Sequence, residues 1–119
     1  MATAETGFAR RMRIHRLAAE IRVARYLLLR QRHTAPINGE WRVCKICGSY
    51  VKDNVYSVTR HLLWCRKDAV RRATVEVVEE LLKKRGMIPV SVVDEVWPPD
   101  GDPPWRKVKV GRHEYYVLG

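Results

Sequence analysis

The chain has 119 residues, which is the length of one domain, and 23 Lys and Arg against 13 Asp and Glu give it a net charge of +10. The positive charge is concentrated in residues 1–75, with 16 basic and 5 acidic side chains, which indicates a polyanion as the partner. No stretch approaches the roughly 18 apolar residues of a membrane span, and residues 1–7 lack the apolar middle of a signal peptide. Composition therefore predicts an intracellular protein without a membrane-spanning segment.

Residues 8–33 are predicted to form one long basic amphipathic helix, because they contain no Gly or Pro and Thr6 can cap the start. Residues 1–7 are predicted to be disordered. The apolar residues recur at spacings of three and four, as on one helix face: Ile14, Leu17, Ala18, Ile21, Ala24 and Leu28. This stripe must pack either on the rest of the chain or on a second copy, so a homodimer through this helix is one expectation.

Arginines occupy much of the remaining circumference of this helix and are predicted to contact phosphates of a nucleic acid. They are Arg10, Arg11, Arg13, Arg16, Arg22, Arg25, Arg30 and Arg32.

The middle of the chain is predicted to contain a loop, a hairpin and helices. Residues 34–40 include Pro and Gly and predict a loop, and residues 41–50 predict a short hairpin. A helix is expected to begin near Val55, after good capping residues, and to run at least through residue 65. Residues 67–85 again show a helical pattern, either as a continuation of that helix or after a break near residue 67.

The last part of the chain is predicted to form a small antiparallel sheet. Residues 90–96 are rich in β-branched side chains and predict a strand. Four prolines within residues 98–104 indicate a stiff linker. Residues 105–110 and 113–118 flank Gly111 and an arginine, which suits a hairpin turn.

The strongest pattern is Cys44-x2-Cys47-x13-His61-x3-Cys65, which uses all three cysteines of the chain. Two cysteines separated by two residues on a turn can reach one metal ion, and a His and a Cys four residues apart share one helix face. Three thiolates and one imidazole are a tetrahedral donor set typical of zinc. Four protein ligands fill the coordination shell, so the zinc is expected to be structural.

Other interpretations of the cysteines explain less of the pattern. A redox pair would need only Cys44 and Cys47, and would leave His61 and Cys65 unexplained. A disulfide framework would leave one of the three cysteines unpaired. The sequence also lacks paired carboxylates, a nucleophile elbow and a phosphate-cradling glycine loop, so an enzyme is not expected.

The stretch 43–65 resembles the ββα zinc-finger family, including its BED-type members, and residues 59–62 are similar to the helical part of a BED finger. Val51 and Val58 stand at positions where the family has bulky apolar residues. The chain departs from the family pattern in its last ligand, which is Cys65 rather than the commoner His. It also has 13 residues rather than 12 between the ligand pairs, and it has Arg42 where the family has an aromatic residue.

The resemblance implies that the helix carrying His61 enters the major groove of DNA, with Asn54, Ser57 and Arg60 at the base-reading positions. The alternative is that Asn54 caps the helix, Ser57 is solvated and Arg60 contacts a phosphate. Arg66 and Lys67 extend the positive surface beyond the finger and are expected to face phosphates.

The predicted fold class is α+β, with a basic N-terminal helix, a zinc finger over residues 41–66 and a helix plus β-hairpin extension over residues 67–119. The predicted function is nucleic-acid binding, most simply by a transcriptional regulator on double-stranded DNA. A protein–protein adaptor with structural zinc and an RNA-binding factor are the alternatives. The flanks resemble small DNA-binding proteins of hyperthermophilic archaea and their viruses, which implies a thermophilic prokaryotic host and a place at the nucleoid.

Overall fold

The structure, a computed structural model, describes residues 5–119 and begins with the long helix that the sequence predicts. Helix α1 spans Gly7–His33, one residue longer than predicted at its start. The Thr6 hydroxyl accepts a hydrogen bond of 3.0 Å from the Ala9 amide and so caps the first turn, as expected. Of the segment predicted to be disordered, residues 1–4 lie outside the described residues.

A three-stranded antiparallel sheet follows α1 directly, where the sequence predicts a loop and only two strands. It consists of β1 (Thr34–Pro36), β2 (Trp41–Cys44) and β3 (Tyr50–Lys52), in the order β1-β2-β3. The loop prediction is wrong for residues 34–36, because Thr34 pairs with Cys44 across the β1–β2 ladder. Pro36 is tolerated there because β1 is an edge strand, where a missing N–H removes no ladder hydrogen bond on the open side.

Two separate helices come next, so the break that the sequence left open is present. Helix α2 spans Val55–Cys65 and helix α3 spans Lys67–Arg85. Between them Arg66 adopts φ −151° and ψ 80°, which is not helical, while its N–H donates to the Leu62 carbonyl at 2.7 Å. Gly86 ends α3 with a φ of 84°, a left-handed conformation that favours glycine.

The C-terminal part contains β4 (Ile88–Pro89), helix α4 (Val90–Val96), β5 (Arg106–Val110) and β6 (His113–Val117). The β5–β6 hairpin around Gly111 confirms the sequence prediction, and β4 pairs with β6 to give the sheet order β4-β6-β5. The prediction of a strand over residues 90–96 is wrong, because this segment is helical.

The packing of α4 against α1 explains why a valine-rich segment is helical. Val92, Val93 and Val96 are buried on one face of α4, at spacings of one, three and four residues. Arg22 and Arg25 of α1 donate hydrogen bonds to the carbonyls of residues 95 and 96 near the end of α4. These contacts between elements outweigh the preference of valine for strands, which depends strongly on context.

Arg25 does not belong to the basic surface that the sequence predicts for α1. Its side chain is buried, and it donates to the Val96 carbonyl and, at 3.2 Å, to the Thr74 hydroxyl. Desolvation, helped by the nearby positive charge of Arg22, lowers the pKa of Arg25 to about 10. Arg25 therefore holds α1, α3 and α4 together and does not face a phosphate.

Two hydrophobic clusters lie along one elongated molecule of 54 × 27 × 23 Å. The first joins the N-terminal part of α1 to α3, α4 and the C-terminal sheet, with Ile21, Val78 and Tyr116 among its members. The second joins the end of α1 to the first sheet, α2 and the start of α3, with Leu29 and Leu62 at its centre. The architecture confirms the α+β fold class, and the inner apolar stripe of α1 packs on its own chain.

The outer side of α1 leaves several apolar side chains exposed: Phe8, Met12, Val23 and Leu27. A homodimer through this helix stays a prediction. Within residues 5–119, the helices include none with the length and apolar character needed to cross a bilayer.

Replacing Ile21 by Ala tests how α1 is packed. Ile21 has no exposed surface, so we expect this substitution to lower the free energy of unfolding by about 2–5 kcal/mol through lost burial and a cavity. Val23→Ala is the control on the same helix, because Val23 is 48% exposed and should change stability by less than about 0.5 kcal/mol. Urea denaturation measures both; equal effects of the two substitutions would contradict the packing described.

Candidate functional site

The four predicted metal ligands converge on one point beside the first sheet. Cys44 ends β2, Cys47 lies in the β2–β3 turn, and His61 and Cys65 lie one helical turn apart on α2. One ligand atom from each residue lies within 4.8 Å of all the others. The Cys47 Sγ and His61 Nε2 atoms are 3.4 Å apart. The sequence spacing thus predicts the whole ligand set.

The β2–β3 turn places the two cysteines of the hairpin. The Cys44 amide donates to the Ser49 carbonyl and the Gly48 amide donates to the Cys44 carbonyl, each at 2.8 Å. Gly48 has a φ of 77°, which a residue with a side chain rarely adopts, so glycine allows the chain to curl back beneath the thiols. Cys44 points inward and is 1% exposed, while Cys47 lies at the surface.

The separations fit a tetrahedral ion of the size of zinc. Zinc–sulfur bonds of about 2.3 Å place two sulfurs of a tetrahedral site about 3.8 Å apart, and a shorter zinc–nitrogen bond brings sulfur and nitrogen slightly closer. The expected separations fall between the 3.4 Å that joins Cys47 Sγ to His61 Nε2 and the upper limit of 4.8 Å for any two of the four ligand atoms. The chemistry of the donors and their spacing therefore both suit one bound metal ion.

The thiols differ in how readily they lose a proton. Hydrogen bonds from the Ser49 side chain and backbone lower the pKa of Cys47 to about 6. Desolvation, followed by the neighbouring thiols of Cys47 and Cys44, raises the pKa of Cys65 to about 11. Without a cation the cluster would keep a proton on Cys65, and a coordinated metal ion favours the thiolate at each sulfur.

A small core beneath the ligands supports them. Val51 and Val58, which match the apolar positions of the zinc-finger pattern, are buried together with Leu29 and Leu62. Arg42 fills the position where the family has an aromatic residue; it is buried, and its Nε donates to the Thr34 hydroxyl at 2.6 Å. The third strand β1 therefore supplies the polar partner that this arginine needs.

Asp53 connects the ligand-bearing segment, residues 41–66, to helix α1. We call this segment the finger module. Asp53 lies between β3 and α2 and accepts a two-pronged ion pair from Arg30 of α1, with distances of 3.0 Å from both Nε and Nη2. The Tyr26 hydroxyl, also on α1, donates to the same carboxylate. The ion pair with Arg30, followed by the Tyr26 hydrogen bond, lowers the pKa of Asp53.

The three residues that the resemblance predicts to read bases lie at the start and on the outer face of α2. Asn54 caps the helix, since its Oδ1 accepts from the Ser57 amide at 2.7 Å. Arg60 is exposed and its Nη1 donates to the Tyr56 hydroxyl at 2.8 Å. Helix α2 begins at Val55, six residues before His61.

The other predicted nucleic-acid contacts fall at two places. Arg66 is exposed beside the module, and Lys67 forms an ion pair of 2.7 Å with Asp100. Near the other end of α1, Arg13 pairs with Glu5 at 2.6 Å. Within residues 5–119, three arginines of α1 make no side-chain hydrogen bond or ion pair in this structure: Arg10, Arg11 and Arg16.

A cleft of about 540 Å³ brings basic residues of two helices together, which the sequence did not predict. Arg13 and Arg16 of α1 line it on one side together with Glu20, and Arg85 at the end of α3 lines it with Tyr115 of β6. We call it the basic cleft. Because α1 rises about 1.5 Å per residue, this cleft lies about 15–25 Å along the helix from Tyr26 and Arg30, which contact the finger module.

Sequence reasoning also missed an exposed set of aromatic residues around the finger: Trp41, Tyr50, Tyr56 and Trp64. The signal was present on α2, where Tyr56, Arg60 and Trp64 recur every four residues and so share one face. The strand residues could be placed beside them only once the β2–β3 register was known.

Comparison of the chain with protein-family models, with curated proteins and with solved structures gives no match. The likeness to zinc fingers therefore depends on the ligand spacing and the two valine positions.

Removing the metal should unfold the finger module selectively. Zinc binding in small fingers contributes on the order of 10–16 kcal/mol, more than the small core around Leu62 can replace. We expect a strong chelator to abolish the hydrogen-exchange protection of β2, β3 and α2, while amides of α4 and β6 stay protected in the other cluster. Hydrogen-exchange mass spectrometry measures this; unchanged exchange in residues 41–65 would contradict a metal-dependent module.

Replacing Asp53 by Asn should destabilise the protein in a pH-dependent way. Because the folded pKa of Asp53 is lowered, its stabilisation is complete above the ordinary value of 3.8 and disappears as the pH falls through the folded pKa. We expect a lower urea midpoint for Asp53→Asn at pH 7, with the gap to wild type closing below about pH 4. Asp102→Asn, an exposed linker carboxylate, is the control, and a gap that did not change with pH would count against the ion pair.

Proposed function

We propose that this protein binds nucleic acid through a finger module that a structural zinc ion holds together, and that double-stranded DNA is a partner. The observation that carries the proposal is the cluster of three thiols and one imidazole, beside a helix that carries the exposed Arg60 and has Lys52 and Arg66 at its flanks. Residues 41–66 carry Lys and Arg at five positions and a single acidic residue, Asp53, which α1 neutralises.

Zinc is the metal that best suits this site. Three thiolates and an imidazole form a soft to borderline donor set, and four protein ligands leave no open position for a substrate. When bound, the ion supplies positive charge that keeps the thiolates ionised and locks the hairpin to α2. Its role is therefore to stabilise the fold, and the exposed side chains of the module are the ones that act.

Two basic regions support DNA as a partner. One is the finger, with Arg60 and Arg66 exposed, and the other is the basic cleft with Arg13, Arg16 and Arg85. The two regions lie about 15–25 Å apart along α1, so a duplex longer than one turn of B-DNA, about 34 Å, would span both. A single finger seldom gives enough affinity alone, so a second basic region at this distance would add phosphate contacts.

Salt-dependent binding tests the proposal. We expect a labelled DNA duplex to bind the zinc-loaded chain, with an affinity that falls steeply as salt rises. The triple substitution Arg10→Gln, Arg11→Gln and Arg16→Gln should reduce the slope of log affinity against log salt by about 3 if each arginine contacts one phosphate. Arg32→Gln is the control, because Glu76 already neutralises that guanidinium.

Fluorescence anisotropy at several salt concentrations gives both slopes. Absence of binding at low salt to duplex and single strands alike would overturn the proposed function. A slope that the triple substitution left unchanged would remove the basic end of α1 from the interface.

A further inference from the structure

The exposed aromatic side chains of the finger line one shallow groove of about 540 Å³ between the first sheet and α2. We call it the aromatic groove; its lining includes Trp41, Tyr50, Lys52, Tyr56, Arg60 and Trp64. The rings are far from buried, since Trp64 is 83%, Tyr50 71% and Tyr56 68% exposed. Single exposed aromatic residues are common on protein surfaces, but several around one groove indicate an interaction site.

The register of the sheet explains why the strands contribute to this groove. Trp41 of β2 stands opposite Lys52 of β3, and Tyr50 lies on the same face two residues before Lys52. Their neighbours Arg42 and Val51 point to the other face, into the core. In this hairpin Arg42 and Val51 therefore face the core, and Trp41 and Tyr50 face the groove.

The charged side chains that line the groove are both positive. Lys52 and Arg60 line it, and no acidic side chain among residues 5–119 does. The guanidinium of Arg60 lies 5.5 Å from the centre of the Tyr56 ring and donates to its hydroxyl. Asp53, which follows Lys52 in the chain, faces α1 instead. Cationic groups set between exposed rings suit a ligand that combines flat rings with negative charge.

We infer that the aromatic groove binds unstacked bases of a single-stranded nucleic acid, with Trp64 and Tyr56 stacking on bases and Lys52 and Arg60 contacting phosphates. This inference rests on the proposed nucleic-acid-binding function and narrows it, because it assigns a single-stranded ligand to the outer face of α2. The ring faces of bases in a duplex are covered by their neighbours, so the exposed rings of this groove cannot stack on them.

The dimensions of the groove agree with a short single strand. Tyr56 and Trp64 are eight residues apart on α2, or about 12 Å along its axis. A stacked strand rises about 3.4 Å per nucleotide and a strand with unstacked bases extends further, so the helix face spans at most about three nucleotides. His61 lies between the two rings on α2, and its ring is tilted against Trp64 at 6.2 Å, which links the position of Trp64 to the ligand cluster.

Binding of matched oligonucleotides to the zinc-loaded full chain tests the inference. The probes are a thymidine oligonucleotide of about 20 nucleotides, the same backbone without bases, and a duplex of the same length. We expect Trp64→Ala to weaken binding of the thymidine strand by about 5- to 100-fold, in line with the contribution of one stacked base. Binding of the abasic strand and of the duplex should change less than about twofold.

Two further variants keep the test specific. Trp64→Phe retains a ring face and should restore most of the affinity for the thymidine strand. Phe8→Ala is the matched control, because it removes a ring that is 67% exposed on α1, far from the groove, and should leave binding unchanged. Zinc content and circular dichroism verify that each variant is folded.

The outcomes separate this inference from the proposed function. If the wild-type chain binds the abasic strand as tightly as the thymidine strand, or if Trp64→Ala leaves thymidine binding unchanged, base stacking in the groove is refuted while DNA binding stands. If Trp64→Ala instead weakens the duplex and the thymidine strand equally, the groove contacts duplex DNA and the inference is wrong. If no probe binds, the proposed function fails and the inference with it.

Discussion

The convergence of Cys44, Cys47, His61 and Cys65 is the constraint on which the finger module depends. The module has three short strands and one helix of 11 residues, and its buried cluster is small. So few buried side chains offset little of the conformational entropy of the chain that they order. One metal ion bound by ligands from β2, the following turn and α2 would add its binding free energy to the stability of this module.

Helix α1 connects the finger module to the rest of the molecule. Near one end, Tyr26 and Arg30 hold the Asp53 carboxylate between β3 and α2. One residue before Tyr26, the buried Arg25 holds the end of α4 and contacts α3. A single helix thus joins both hydrophobic clusters, so the finger and the basic cleft keep a defined separation. Under the proposed function, that separation would let both regions contact one nucleic acid.

Local signals in the sequence predicted much of this structure. The ligand set followed from spacing alone, because residues four apart on a helix and three apart on a turn have few other ways to meet a common point. The cap at Asn54 and the hairpin around Gly111 were equally local. Each depends on the conformational preference of one or two residues.

The predictions that were wrong or missing share one cause, because each depends on contacts between different elements of the fold. Strand β1 exists because Thr34 meets Cys44 in the adjacent strand, and α4 is helical because its valines pack on α1. The burial of Arg25 requires elements that are far apart in the chain. The aromatic groove requires the β2–β3 register and the packing of that hairpin beside α2. Propensity cannot reveal such partners, so Arg25 was assigned to the basic surface and the exposed aromatic residues to no site.

Zinc-edge X-ray absorption of the purified full chain tests the central claim most directly. The account predicts one zinc per chain with three sulfur ligands at about 2.3 Å and one nitrogen ligand at about 2.0–2.1 Å. A folded chain that carries no metal, or a metal shell made of oxygen and nitrogen alone, would contradict it.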